Sequence, residues 1–160
     1  MLILLSGNEP QRSILAEMIW RKAIQSDRQI IFVSGSENTK EPPFIPEHIS
    51  YHKRLSADDL VRAIKMAEIV ICRSGYSSLM DLIALDKKAI LIPTPGQTEQ
   101  EYLAKQMHKN KIFMAASQSK FDIQTSLMNA TLFPFQRTHF ENAFEKHKLV
   151  LSDWLQKIGE

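Results

Sequence analysis

The 160-residue chain holds one cysteine, Cys72, and only five glycines. A single thiol excludes a disulfide framework and a cysteine-rich zinc site, and it fits a reducing compartment such as the cytosol. No apolar run approaches the length of a membrane span. The start, Met1-Leu2-Ile3-Leu4-Leu5-Ser6, has no basic leader and too short an apolar core for a signal peptide. Neither sign of charge dominates, with 20 Lys and Arg against 18 Asp and Glu. No Lys/Arg block is longer than two residues, so a sequence pI near 8.7 does not amount to a nucleic-acid footprint. Walker A and G-x-G-x-x-G sequences are both missing, which removes support for a P-loop nucleotidase or a dinucleotide dehydrogenase. The histidines, His48, His52, His108, His139 and His147, offer no metal site by the usual helical pattern. What is present is ordinary: 44% of residues are hydrophobic, which excludes disorder, and the length suits one domain.

Apolar runs rich in β-formers recur at Leu2 to Leu5, Ile30 to Val33, Ile69 to Cys72 and Ala89 to Ile92, with weaker ones at Ile49 to His52 and Lys111 to Met114. The strong runs are continuous, as expected of strands covered on both faces. Amphipathic helical segments lie between them. Arg12 to Gln25 carries Ile14, Leu15, Met18 and Ile19 at helical spacing; Leu60, Ile64 and Ala67 follow, then Leu79, Leu82 and Ile83, then Leu103 and Met107. This alternation reads as βαβ units in an α/β doubly wound parallel sheet, Rossmann-like, as one domain over 1–160. Phe121 to Leu132 adds a helix that Phe133-Pro134-Phe135 ends. A stripe from Phe140 to Ile158 predicts a C-terminal helix over 138–158, packed on the sheet or reaching toward a second domain. Gly35 to Pro46, with three prolines, reads as a loop.

Four of the glycines, Gly7, Gly35, Gly75 and Gly96, fall just past the C-terminal ends of expected strands. Ligands bind along that edge in an open parallel sheet. Glycine lets backbone amides approach an anion, and a helix N-terminus favours negative charge. A tight strand-to-helix turn explains any one of these glycines equally; four on one edge favour a phosphate-bearing ligand. Two strand-loop-helix junctions carry the most information, Arg73-Ser74-Gly75-Tyr76-Ser77-Ser78-Leu79-Met80-Asp81 and Pro93-Thr94-Pro95-Gly96-Gln97-Thr98-Glu99-Gln100-Glu101-Tyr102.

Those junctions, Arg-Ser-Gly-x-x-Ser-x-x-Asp followed by Ile-Pro-x-Pro-Gly-Gln-x-Glu-Gln-x-Tyr-Leu-Ala, resemble the nucleotide-sugar-binding half of family 28 glycosyltransferases. The group includes the N-acetylglucosaminyltransferase that makes lipid II. The resemblance covers roughly Leu2 to Met114 and implies the C-terminal half of a GT-B architecture. Carried over by position, it implies that Ser74 and Gly75 face the diphosphate and that Asp81 faces the ribose hydroxyls. Gln100 and Glu101 would lie beside the phosphates and donor sugar. Gly7 and Asn8 would form the first loop, with Arg12 in the helix behind it. Arg73, Ser78, Gly96 and Gln97 complete the expected nucleotide-sugar-binding set. The first loop has one glycine where the family often has more, Asp81 stands where glutamate is usual, and Glu101 where a second glutamine is common.

Several of these residues have competing structural readings. Thr98 and Glu101 fit a capping box, with Thr98 as N-cap, and so do Ser78 and Asp81 by spacing; Ser56 with Asp59 is a plain capping signal. Arg73 equally suits an ion pair with an acidic neighbour, and Cys72 a packed thiol. The function the resemblance implies is donor binding in transfer of a sugar from a nucleotide diphosphate, UDP in particular, to an acceptor hydroxyl. It implies no cofactor and no metal, a cytoplasmic location, and peripheral membrane attachment through the acceptor-binding half. The general base would come from an N-terminal acceptor-binding domain or a separate chain, for which 160 residues leave no room. The alternatives are a nucleotide-sugar 2-epimerase or hydrolase of the same fold, and the nucleotide-binding subunit of a two-chain glycosyltransferase.

Overall fold

The computed structural model describes residues 1–136. The helix expected over 138–158 lies outside the described residues. Six parallel strands form one sheet: β1 (Leu2–Leu4), β2 (Ile30–Val33), β3 (Ile49–His52), β4 (Val70–Cys72), β5 (Ala89–Leu91) and β6 (Met114–Ala115), in the spatial order β3-β2-β1-β4-β5-β6. Helices α1 (Gln11–Ala23), α2 (Ala57–Met66), α3 (Tyr76–Ala84), α4 (Thr98–Lys109) and α5 (Ile123–Leu132) make the other layers. β2 and β3 are joined without a helix, through the proline-bearing loop.

Alternate strand residues point to opposite faces, and both faces are covered. Ile3, Phe32, Ile71 and Ile90 join Leu15 and Ile19 of α1 and Ile123 and Leu127 of α5 in one core. Leu2, Val33, Val70 and Leu91 join Ile64 of α2, Leu79 and Leu82 of α3 and Ala104 of α4 in the other. That double burial is why the runs read as continuously apolar. The chain winds outward from β1 through β2 to β3, then returns across the sheet to β4 on β1's other side. The order therefore reverses between β1 and β4, whose register pairs Leu4 with Cys72. The loops after these two strands flank the crevice where ligands of such sheets bind.

Local chemistry fixes the helix ends. Ser56 caps α2, its Oγ accepting from Asp59 N at 3.1 Å, while Arg62 pairs with Asp59 from the next turn. The Ser56 hydroxyl and then Arg62 hold the Asp59 carboxyl below its ordinary range. At the other end of α2, Lys87 Nζ donates to the carbonyls of Lys65 and Ala67. Ser56→Ala is expected to lower stability by about 1 kcal/mol, the usual worth of an N-cap, with no change in ligand binding. A denaturant midpoint equal to that of the parent would show that Arg62 and Asp59 hold the helix start without it.

Three expectations shift. α1 starts at Gln11 and stops at Ala23, and its Ile14 is exposed rather than part of the buried stripe. The last strand is Met114–Ala115 instead of Lys111 to Met114, because Lys111 turns the chain with φ 58° and His108 Nδ1 accepts from Ala115 N at 3.0 Å. The last described helix starts at Ile123, capped by Asp122 on Thr125 N at 3.0 Å, and Phe121 is left to the core.

Candidate functional site

All five described helices open at the C-terminal edge of the sheet, and each leaves its first amides without intrahelical acceptors. What covers those amides differs from helix to helix. At α1 the Glu9 carboxylate accepts from Ser13 N at 3.2 Å and from the Ser13 hydroxyl at 2.9 Å, and it pairs with Arg12. The Ser13 hydroxyl and then its amide hold the Glu9 carboxyl below its usual range, with Arg12 adding to the effect. α2 has Ser56 with Asp58 and Asp59, and α5 has Asp122. At α4 no side chain bonds to the helix's own amides, but Glu99 and Glu101 place two acids in its first turn, and the Glu101 carboxylate accepts from Gly96 N just before the helix at 2.9 Å. α3 alone among the described helices begins bare. Its N-cap is Gly75, no side chain bonds to its amides, and its first turn holds no acid. Among the described residues no acid thus compensates the N-terminal partial positive charge of α3, on the β4 side of the crevice.

Beneath that start lies Arg73, 1% exposed, and the Ser74 hydroxyl, which donates to Gln100 O at 2.8 Å. Arg73 Nη1 donates to Ile92 O at 3.2 Å, Pro93 O at 3.1 Å and Gln118 Oε1 at 2.7 Å. Its Nη2 donates to Gln11 O at 2.8 Å. The guanidinium therefore ties the start of α1, the loop after β5 and the turn after β6 to the end of β4. Burial lowers its pKa to about 10, which leaves it protonated at neutral pH. No ion pair joins it among the described residues. Cys72 beside it is a packed thiol, its pKa pushed up to about 12 by burial.

The profile of the Glycosyltransferase family 28 C-terminal domain matches residues 7–150, most of the chain. The chain belongs to that family. The UDP-N-acetylglucosamine--N-acetylmuramyl-(pentapeptide) pyrophosphoryl-undecaprenol N-acetylglucosamine transferase of Natranaerobius thermophilus is 36% identical over 100 residues, 57% of this chain and 26% of the relative. The enzyme of the same name from Finegoldia magna is 27% identical over 132 residues, 80% of this chain and 34% of the relative. Among solved structures, MurG of Acinetobacter baumannii superposes with a TM-score of 0.61 at 18% identity, covering 82% of this chain and 42% of that one. The glycosyltransferase SnogD from Streptomyces nogalater gives 0.59 at 11%, covering 79% and 32%. These likenesses show the fold, a Rossmann-like unit of GT-B glycosyltransferases. The chain spans about a quarter to a third of the length of these curated relatives.

Within this family 28 domain the expected residues divide by what already occupies them. Gly75 and Ser78 sit in the bare first turn of α3, and Asp81 is exposed one turn on, carrying neither a cap nor an ion pair. The capping reading of Ser78 with Asp81 is therefore corrected. The capping reading of Thr98 is corrected as well: Gln97 is the N-cap of α4, and Glu101 bonds to Gly96 N instead of the Thr98 amide. Gln100 does not point free toward a ligand. Its Oε1 accepts from Thr94 N at 3.0 Å and its Nε2 donates to Gln97 Oε1 at 2.6 Å, bracing the loop after β5. Arg12 is buried, its Nη1 on Ser34 O at 3.0 Å and Thr39 Oγ1 at 3.2 Å. Arg73 and the Ser74 hydroxyl are likewise spent on protein partners, so the ion pair expected for Arg73 is replaced by carbonyl and amide acceptors. Gly7 and Asn8 form the exposed loop after β1, where Gly7 has φ 103°.

Gln118 was not legible as part of this arrangement. It belongs to a short 3-10 turn after β6 and meets Arg73 only through the fold. Among the described residues no group of three or more His, Cys, Asp or Glu side chains converges. No described helix is long and apolar enough to cross a membrane. A cavity of about 300 Å³ between α1 and the proline loop is lined by Trp20, Phe32 and Tyr51. It lies toward β2 and β3, away from the β1–β4 crevice, and none of the loops after β1, β4 or β5 contributes to it.

Proposed function

We propose that this domain binds the diphosphate of a nucleotide-sugar donor at the start of α3, as the donor half of a glycosyltransferase. The observation that carries the reading is the first turn of α3, which alone among the described helices has neither a side-chain bond to its amides nor an acid beside them. Phosphate oxygens accept from backbone amides, and a helix start of this kind favours an anion by about 0.3–1 kcal/mol at the surface and up to ~2 when partly buried. Asp81, free and one turn on, suits the cis-diol of a ribose. The relatives' printed names point to UDP-N-acetylglucosamine as the donor, and we carry UDP over as the preferred nucleotide.

In the transfer, an acceptor hydroxyl oxygen bonds to the anomeric carbon as the bond from that carbon to the diphosphate breaks. Negative charge then grows on the leaving phosphate, and donors already aimed at it lower the barrier without reorganising. The base that takes the acceptor's proton is assigned to an acceptor-binding part beyond this chain. Peripheral attachment at the cytoplasmic face of a membrane is assigned to that part as well.

Gly75 provides the test. It has ordinary backbone angles, and a Cβ there meets nothing within 4 Å. Gly75→Trp is therefore expected to fold like the parent while covering the amides, and to weaken UDP binding by roughly 100-fold or more. Calorimetry with UDP reads the affinity and a thermal melt reads the fold. Unchanged affinity in a folded Gly75→Trp would remove the diphosphate from this site.

A further inference from the structure

Among the described residues Arg73 is a buried cation without a counter-ion. All four of its hydrogen-bond acceptors are neutral, three backbone carbonyls and the Gln118 amide oxygen. Its Nε is buried and has no partner. Taking a charge out of water is expensive, and such groups are ordinarily paired with an opposite charge. The other buried arginine among the described residues follows that habit: Arg12 pairs with Glu9. The exception stands directly before Ser74 and Gly75 and donates to the first residue of α1. It lies between the bare start of α3 and the start of α1, on the floor of the crevice between β1 and β4.

We infer that Arg73 is left unpaired so that a bound diphosphate supplies its counter-charge. It acts through the low-dielectric floor as an electrostatic positioning residue and does not touch the ligand. Its four bonds hold the guanidinium in place, and every one of its acceptors is neutral, so none cancels the charge. The inference rests on the diphosphate reading above. It adds that the site's affinity comes in large part from a buried charge, where the amides of α3 alone would give a weaker one. A charge on a buried floor is screened by salt less than a surface lysine is, yet it still attracts a polyanion.

The test neutralises the arginine without removing it. Gln118→Glu has the same shape, keeps the acceptor on Nη1 and places a carboxylate there, giving up only the 3.4 Å bond from Gln118 Nε2 to Gln11 Oε1. Pyrophosphate and UDP are titrated into the 160-residue chain by calorimetry at several salt concentrations. Gln118→Glu is expected to bind both at least about tenfold more weakly, with a shallower salt dependence and a melting temperature equal to or above the parent's. Ser119→Glu adds the same charge on the exposed neighbour, away from the guanidinium, and is expected to bind within about twofold of the parent. Arg73→Lys keeps the charge but loses the fork, and is expected to retain affinity within about threefold.

If Gln118→Glu loses no more than Ser119→Glu, or Arg73→Lys loses as much as Gln118→Glu, the inference is overturned. A parent that binds neither pyrophosphate nor UDP overturns the diphosphate reading and this inference together. Loss in Gly75→Trp without loss in Gln118→Glu overturns this inference alone.

Discussion

Gly35→Ala is expected to cost the domain on the order of 3–5 kcal/mol, a large share of the 5–15 kcal/mol typical of a domain. A Cβ built on Gly35 falls 2.2 Å from Leu5 O and 2.9 Å from Leu5 C. Both are backbone atoms at the end of β1, so no rotamer change relieves the clash. Leu5 is itself buried, and its amide donates to Val33 O at 2.9 Å, which fixes the spacing of β1 and β2. Gly35 also has φ 81°, a left-handed backbone that costs an L residue roughly 1–2 kcal/mol before any contact is counted. Gly75→Ala is the matched control. With ordinary φ and open space around its Cβ, it is expected to shift stability by no more than a few tenths of a kcal/mol. Urea unfolding of the two variants decides the matter. Equal midpoints would mean that β1 and the turn after β2 lie further apart than described.

This contrast shows what the sequence could and could not convey. Four glycines past four strand ends looked like one class. In the fold Gly35 is held by contact and backbone angle, Gly7 and Gly96 by positive φ, and Gly75 by neither. Nothing adjacent to Gly35 in sequence marks it out, because the atom it would strike is 30 residues away across the β1–β2 register. The sheet itself was legible, since burial on both faces forces unbroken apolar runs, and the alternation with helices then fixes a doubly wound order. The edges were less so. β6 is two residues long, and pairing with β5 and the His108 ring set its place at the end of the weak apolar run Lys111 to Met114.

The site was legible as a location but only partly as a set of contacts. Ser74, Gln100 and Arg73 stand in the motif, yet their polar atoms face protein. A motif records which residue types are needed at a junction. It does not separate those that meet a ligand from those that hold the junction's shape. Glu101 illustrates the point: its carboxylate accepts from Gly96 N before the helix and, with Glu99, puts negative charge at the start of α4, which leaves α3 as the start without an acid.

Arg73→Met carries the second large effect, and it falls on stability. The substitution removes the donor from Ile92 O, Pro93 O, Gln11 O and Gln118 Oε1, positions up to 107 residues apart in sequence that meet at this one side chain. Each acceptor left buried without a donor costs about 1–3 kcal/mol. Two considerations reduce the sum. Removing a buried charge recovers part of its desolvation, and no carboxylate is orphaned, since none was paired with it. A net loss of about 3 kcal/mol is therefore expected, read from the denaturant midpoint. Arg73→Met as stable as the parent would mean that water reaches those acceptors and the hub is dispensable. The two faces of Arg73 then separate by experiment. Arg73→Met should lower both stability and diphosphate affinity, whereas Gln118→Glu should lower chiefly affinity, because it leaves every bond of the guanidinium in place, gives up only the long 3.4 Å bond from Gln118 Nε2 to Gln11 Oε1, and changes the charge beside Arg73.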